Sequence, residues 1–113
     1  MRPEIYTATE AVANTINLDV NWELPSCYVA VRYYDADPAL GAANEVTPGA
    51  GTVTVTAKLV NHGKFVDITD GVFNCTIVNS FASYKGNASS IKAVPSGVTN
   101  ATHYSVTVSQ NAQ

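Results

Sequence analysis

The chain has 113 residues, a formal net charge of −3, and 13% charged side chains against 46% apolar ones. That length suits one domain with a real core, and the shortage of charges, about half the usual quarter, is made up by uncharged hydroxyls and amides. Scattered lysines and arginines argue against a nucleic-acid surface, and no apolar run approaches the ~20 residues of a membrane helix, so neither nucleic acid nor membrane is an expected partner.

Residues 1–14 read as an extended arm or an edge strand, with Glu10 to Asn14 offering a short, poorly capped helical turn. Thr15 to Leu24 alternates Ile16, Leu18, Val20, Trp22 and Leu24 with Asn17, Asp19, Asn21 and Glu23. This period of two predicts a strand with one dry face, stopped at Pro25 and Ser26. Cys27 to Tyr34 is apolar on both parities except at Arg32, which predicts a central strand covered on both sides or meeting a partner. Tyr28 and Tyr34 share a face with Arg32, and Tyr and Arg are enriched where proteins bury against one another. The plainer reading is an ordinary strand whose tyrosine hydroxyls reach water.

Asp35 to Ala50 is rich in Pro, Gly and Asn and predicts a long loop, either mobile or held by another chain. From Gly51 to Val60, Val53, Val55, Ala57 and Leu59 alternate with Thr52, Thr54, Thr56 and Lys58, the pattern of a half-buried strand with a hydroxyl-lined outer face. A turn over Asn61-His62-Gly63-Lys64, a short strand over Phe65 to Ile68 and a turn at Asp70-Gly71 follow. Val72 to Val78 is expected as a strand with Phe73, Cys75 and Ile77 inward, and residues 79–90 as a loop. Ser90 to Val94 is a strand ended by Pro95, and His103 to Ser109 closes the domain with Tyr104, Val106 and Val108 inward. Residues 110–113 are expected to fray. The sum is a single all-β domain over 1–113, an antiparallel β-sandwich of jelly-roll or immunoglobulin-like type with six to eight short strands.

Chemistry is sparse. His62 and His103 lie far from any metal-ligand spacing, and no nucleophile elbow or phosphate loop is present. Asp35, Asp37, Asp67 and Asp70 sit beside turns, where carboxylates bond their own backbone far more often than they hold calcium. The expectation is therefore no enzyme, no cofactor and no metal. Nothing at the start resembles a secretory leader, so folding in a cytoplasm and reduced, buried Cys27 and Cys75 are expected, although a bridge across the core is geometrically conceivable. Residues 1–45 hold seven acids against two arginines, and residues 46–113 hold four lysines against two aspartates, a polarity that favours contact between copies unless folding interleaves the halves.

The strand Gly51-Thr52-Val53-Thr54-Val55, the segment Lys64-Phe65-Val66-Asp67-Ile68-Thr69 and the stretch Ser90 to Val108, with Ser96-Gly97-Val98-Thr99-Asn100-Ala101-Thr102 before Val106-Thr107-Val108, resemble small β-sandwich structural proteins of tailed bacteriophage virions. The resemblance covers about the last 60 residues and transfers no catalytic residue. It implies a virion component assembled in the host cytoplasm: a capsid decoration (cement) protein, or a tail, neck or fibre part. Its expected partners are the major capsid protein or other virion proteins, and its own copies in a dimer or trimer. The residues expected to make such contacts are Tyr28, Arg32, Tyr34, Asp35, Asp37, Leu40 and Val46. A function of another class is a carbohydrate-binding module stacking sugars on Trp22, Tyr34 or Tyr84, although the parity of Trp22 is that of a core residue.

Overall fold

The computed structural model describes residues 4–59, 63–78 and 80–111. Its strands are β1 (Glu4–Ala11), β2 (Ile16–Asp19), β3 (Ser26–Tyr34), β4 (Thr52–Leu59), β5 (Phe65–Asn74), β6 (Phe81–Lys85), β7 (Ala88–Ser96) and β8 (His103–Asn111). A short 3-10 turn, Pro38–Leu40, lies in the loop after β3.

All pairing is antiparallel and nested: β1 with β8, β2 with β7, β3 with β6, β4 with β5. The chain is thus one long hairpin with its arms zipped together. Rolling that hairpin brings β3 against β8 and β4 against β7, which gives one layer in the order β1-β8-β3-β6 and a second in the order β5-β4-β7-β2. This is a jelly roll, which decides between the two sandwich types that the sequence leaves open.

The period of two governs the core. Val53, Val55 and Ala57 of β4 face Val29 of β3 and Tyr104, Val106 and Val108 of β8 across a dry interior. Each such valine contributes roughly 1.5–3 kcal/mol by leaving water. Polar groups tie the layers together at two places. The Tyr104 hydroxyl, on a fully buried residue, donates its one proton to the Asn14 carbonyl at 2.6 Å, with the Ala93 carbonyl 3.3 Å away. The Gln110 side chain, 0% exposed, accepts from the Asn21 N–H at 2.8 Å and donates to the Asn21 carbonyl at 3.0 Å, pairing with that residue as a strand would. Gln110 therefore does not fray: it closes the seam between β8 and the segment after β2.

The opposite seam closes differently. Thr54 pairs with Val72 but Thr56 pairs with Asp67, so β5 carries a multi-residue bulge over 68–71. The bulge turns the strand out of its layer, and Thr69 bridges to Ser83 of β6 in the other. Asp70 takes a left-handed φ of 56°, and Gly71 lies so close to β4 that a Cβ there would stand 2.6 Å from the Val55 carbonyl oxygen. Asp70-Gly71 is accordingly a bulge inside one strand, where the sequence pattern suggests a turn between two.

Other expectations are corrected. Of the two readings of the first residues the edge strand holds, since residues 4–11 pair along β8, but β1 runs into the segment read as a helical turn. β2 ends at Asp19, so Trp22 leaves the strand and is 53% exposed instead of entering the core. Residues 81–85 form β6 inside the expected loop, with Ala82 inward and Phe81 outward. Ile77 stands after the end of β5 and is 59% exposed, while Phe73 and Cys75 are buried as expected. Pro95 does not stop β7, because β2 begins opposite Ala93 and past that residue β7 is paired on one side alone. Of the turn read at 61–64, residues 61 and 62 lie outside the described residues, as do residue 79 and residues 112–113.

Cys27 and Cys75 are both buried and both free. Burial pushes the Cys27 thiol up to about 11 and raises that of Cys75, so each behaves as a small apolar side chain.

Candidate functional site

The outward parity of β3 carries Tyr28, Ala30, Arg32 and Tyr34, and register extends each into a row across the layer. Tyr28 lies between Ser109 and Ser83. Ala30 lies between Thr107 and Phe81, with Thr7 beyond Thr107, and Arg32 lies beside Ser105 and then Thr9. The Thr7 and Thr107 hydroxyls are 3.3 Å apart, as are those of Tyr34 and Ser105. Apart from Arg32, Lys85, the ring of His103, the Asn111 amide and the exposed Ile5 beyond Ser109, this face presents hydroxyls, small side chains and aromatic rings. The apolar double parity of β3 thus has one face in the core and one face open: Tyr28 and Arg32 are exposed, and Tyr34 is half-buried.

At the β6 end this face rises into an apolar ridge. Phe81 is 61% exposed and meets the Tyr28 ring edge-on, with centroids 6.0 Å apart at 61°. Val72, Ile77 and Val78 are exposed around it. Ser80 and Phe81 separate two shallow clefts of about 260 and 240 Å³. The first is lined by Ala30, Arg32, Tyr33, Glu45 and Val78, the second by Asp70, Val72, Phe73 and Ile77. Sequence reading misses this ridge. Its signal is the pair Ile77-Val78 shortly past the end of β5, followed by a phenylalanine out of phase with the core.

The remaining candidates from the sequence lie in the loop after β3, which the chain holds itself. Asp35 accepts from the Asn44 N–H at 2.8 Å and from its side-chain amide at 3.2 Å, while the Asp35 N–H donates to the Asn44 carbonyl. The Asn44 contacts hold the Asp35 carboxyl below the usual aspartate value. Asp37 caps the 3-10 turn by accepting from the Ala39 N–H at 2.9 Å. Leu40, at the tip, is the most exposed large apolar side chain described. Val46 packs against the core, and its N–H donates to the Tyr33 carbonyl. The structure therefore brings Tyr28, Arg32 and Tyr34 onto one face, gives Asp35 and Asp37 to local backbone, and leaves Leu40 as an isolated tip.

His103 bonds its neighbour Thr102 at 2.9 Å, and His62 lies outside the described residues. Among the described residues no three His, Cys, Asp or Glu side chains gather in a way that would hold a metal. No described helix is long and apolar enough to cross a membrane. Trp22 stands alone on the surface, its carbonyl accepting from the Asn87 side-chain amide at 2.8 Å.

The crystal structure of the SPBc2 prophage-derived protein YomS is similar in fold, with a TM-score of 0.60 at 10% identity over 96% of each chain. A structure described as "Bacillus endospore appendages form a novel family of disulfide-linked pili" aligns with 98% of this chain and 88% of its own, at 13% identity and a TM-score of 0.47. No curated protein matches the sequence significantly. Residues 4–113 match the model of a domain of unknown function, DUF7265, and the chain belongs to that family.

Proposed function

We propose that this protein is a structural component of a bacteriophage particle, a capsid decoration protein that binds the major capsid protein and works by adhesion without chemistry. The observation that carries the reading is the outer face of the β1-β8-β3-β6 layer, where hydroxyl rows and the Tyr28 and Phe81 rings form a broad surface with few charges to desolvate. Such a surface docks on another protein at low electrostatic cost. The jelly roll shared with a prophage-derived protein supports the same reading at the level of fold. On a repeating shell, modest single contacts become effectively permanent because many copies are held side by side.

The direct test is co-sedimentation of the purified protein with particles of the phage that encodes it, followed by its copy number relative to the major shell subunit. Hundreds of copies fit decoration, a dozen or fewer fit a tail, neck or fibre part, and none removes the virion reading. Exposure of Trp22 favours one second reading, a carbohydrate-binding module with that indole as stacking platform. Glycan-array binding that Trp22→Ala abolishes would select it.

A further inference from the structure

The ridge at Phe81 has a property the hydroxyl rows lack: it is complementary to itself. The ring stands between two clefts that share Ser80 and Phe81 as their common wall. Arg32 lines the cleft on one side and Asp70 the cleft on the other. Both side chains are exposed, and neither has a hydrogen-bond or ion-pair partner among the described residues. A two-fold axis beside Phe81 exchanges the two sides, so that each copy's Arg32 meets the other copy's Asp70 while each phenyl ring enters the other copy's cleft. In such a half-turn a cation on one side of the axis faces an anion from the other, and Glu45, which also lines the Arg32 cleft, sets a second carboxylate beside that pair.

We infer that the Phe81 ridge is the contact of an isologous dimer, with a second copy of this chain as its occupant. Val72, Ile77 and Val78 supply the apolar surround, and the edge-on contact with Tyr28 holds the Phe81 ring upright before association. The sheet edges offer no competing route. β2 has four residues, and the open edge of β1 carries Glu4 and Glu10 on its core-facing parity, an arrangement that opposes strand addition. Dimerisation through the ridge leaves the Thr7, Thr107 and Ser109 rows free for another partner. The inference shares the Tyr28 and Phe81 rings with the virion reading, but it concerns the isolated protein and is measured separately from co-sedimentation.

Sedimentation velocity of the full chain tests it. A monomer–dimer equilibrium is expected within roughly 1–100 μM, the range typical of small interfaces. Phe81→Thr places a β-branched residue in the strand, so circular dichroism should remain unchanged while the dissociation constant rises at least tenfold. Arg32→Glu should weaken the dimer by setting like charges together. Adding Asp70→Asn, which a left-handed φ accepts, should recover part of that loss in the Arg32→Glu background while weakening the dimer in the wild-type background. A protein monomeric at 100 μM, a trimer, or a dimer indifferent to Phe81→Thr would overturn the proposal. Failure of dimerisation with retained co-sedimentation would leave the adhesive reading intact, and the reverse result would remove only that reading.

Discussion

Gln110 illustrates what a single amide does when it is removed from water. Its two hydrogen bonds to the backbone of Asn21 satisfy every group involved, and Gln110→Ala would strand the Asn21 N–H and carbonyl. The expected loss, read from urea unfolding, is about 1–3 kcal/mol. Gln110→Glu should be worse at neutral pH, because it buries a carboxylate against the Asn21 carbonyl, and part of the loss should return in acid as the new side chain is protonated. Thr56 presents the opposite case. Its Oγ1 is buried without a partner, so the isosteric Thr56→Val should leave stability unchanged or raise it by up to about 1 kcal/mol in the same assay. Asp35 supplies a pH dependence of defined sign. Its folded pKa lies below the ordinary 3.8, so the unfolded chain takes up a proton first as the solution is acidified. The stabilisation is therefore complete above the ordinary aspartate range and disappears as pH falls through the lower folded value. Comparing Asp35→Asn with wild type in urea titrations from pH 7 to pH 3 should show the wild-type advantage shrinking toward acid.

Among the elements, β5 departs furthest from what its sequence suggests, and its bulge decides how the two layers join. Gly71→Ala would place a Cβ against the Val55 carbonyl, which belongs to the backbone of β4 and has little room to move. A loss of about 1–3 kcal/mol is expected by thermal unfolding, with weaker amide protection at Thr69 and Ser83. The same region shows why legibility is uneven. β4 and β8 are plain in the sequence because apolar and hydroxyl residues alternate from Thr52 to Ala57 and from Tyr104 to Ser109. β6 is hidden because its inward residue is the small Ala82 and its largest, Phe81, points out. Trp22 misleads because its alternation with Ile16, Leu18 and Val20 outlasts the strand itself. Gln110 escapes notice because a polar residue on an inward parity looks like the start of a tail. Of the surface candidates, the Tyr28, Arg32 and Tyr34 face is legible from parity alone. The adjoining ridge is not, because it draws on β5, β6 and the segment between them, and only the fold brings these together.

At the scale of the whole molecule, the nested pairing sets the order in which contacts become favourable. β4 and β5 are neighbours in sequence, whereas β1 must find β8 almost a full chain length away. Loop closure therefore precedes most of the burial, and refolding is expected on the millisecond-to-second scale in stopped-flow measurements, with hydrogen exchange protection appearing along β4 before β1. The outermost pair also has a mechanical meaning. Glu4 lies opposite Gln110, so a pull applied at those two positions opens the β1–β8 ladder rung by rung, each pair of bonds bearing the whole load in turn. Tension entering through the sheet faces instead is shared by many rungs at once. A molecule of this design yields easily when tugged by its two extremities and resists when gripped by its flanks, so any scaffold it reinforces must hold it broadside.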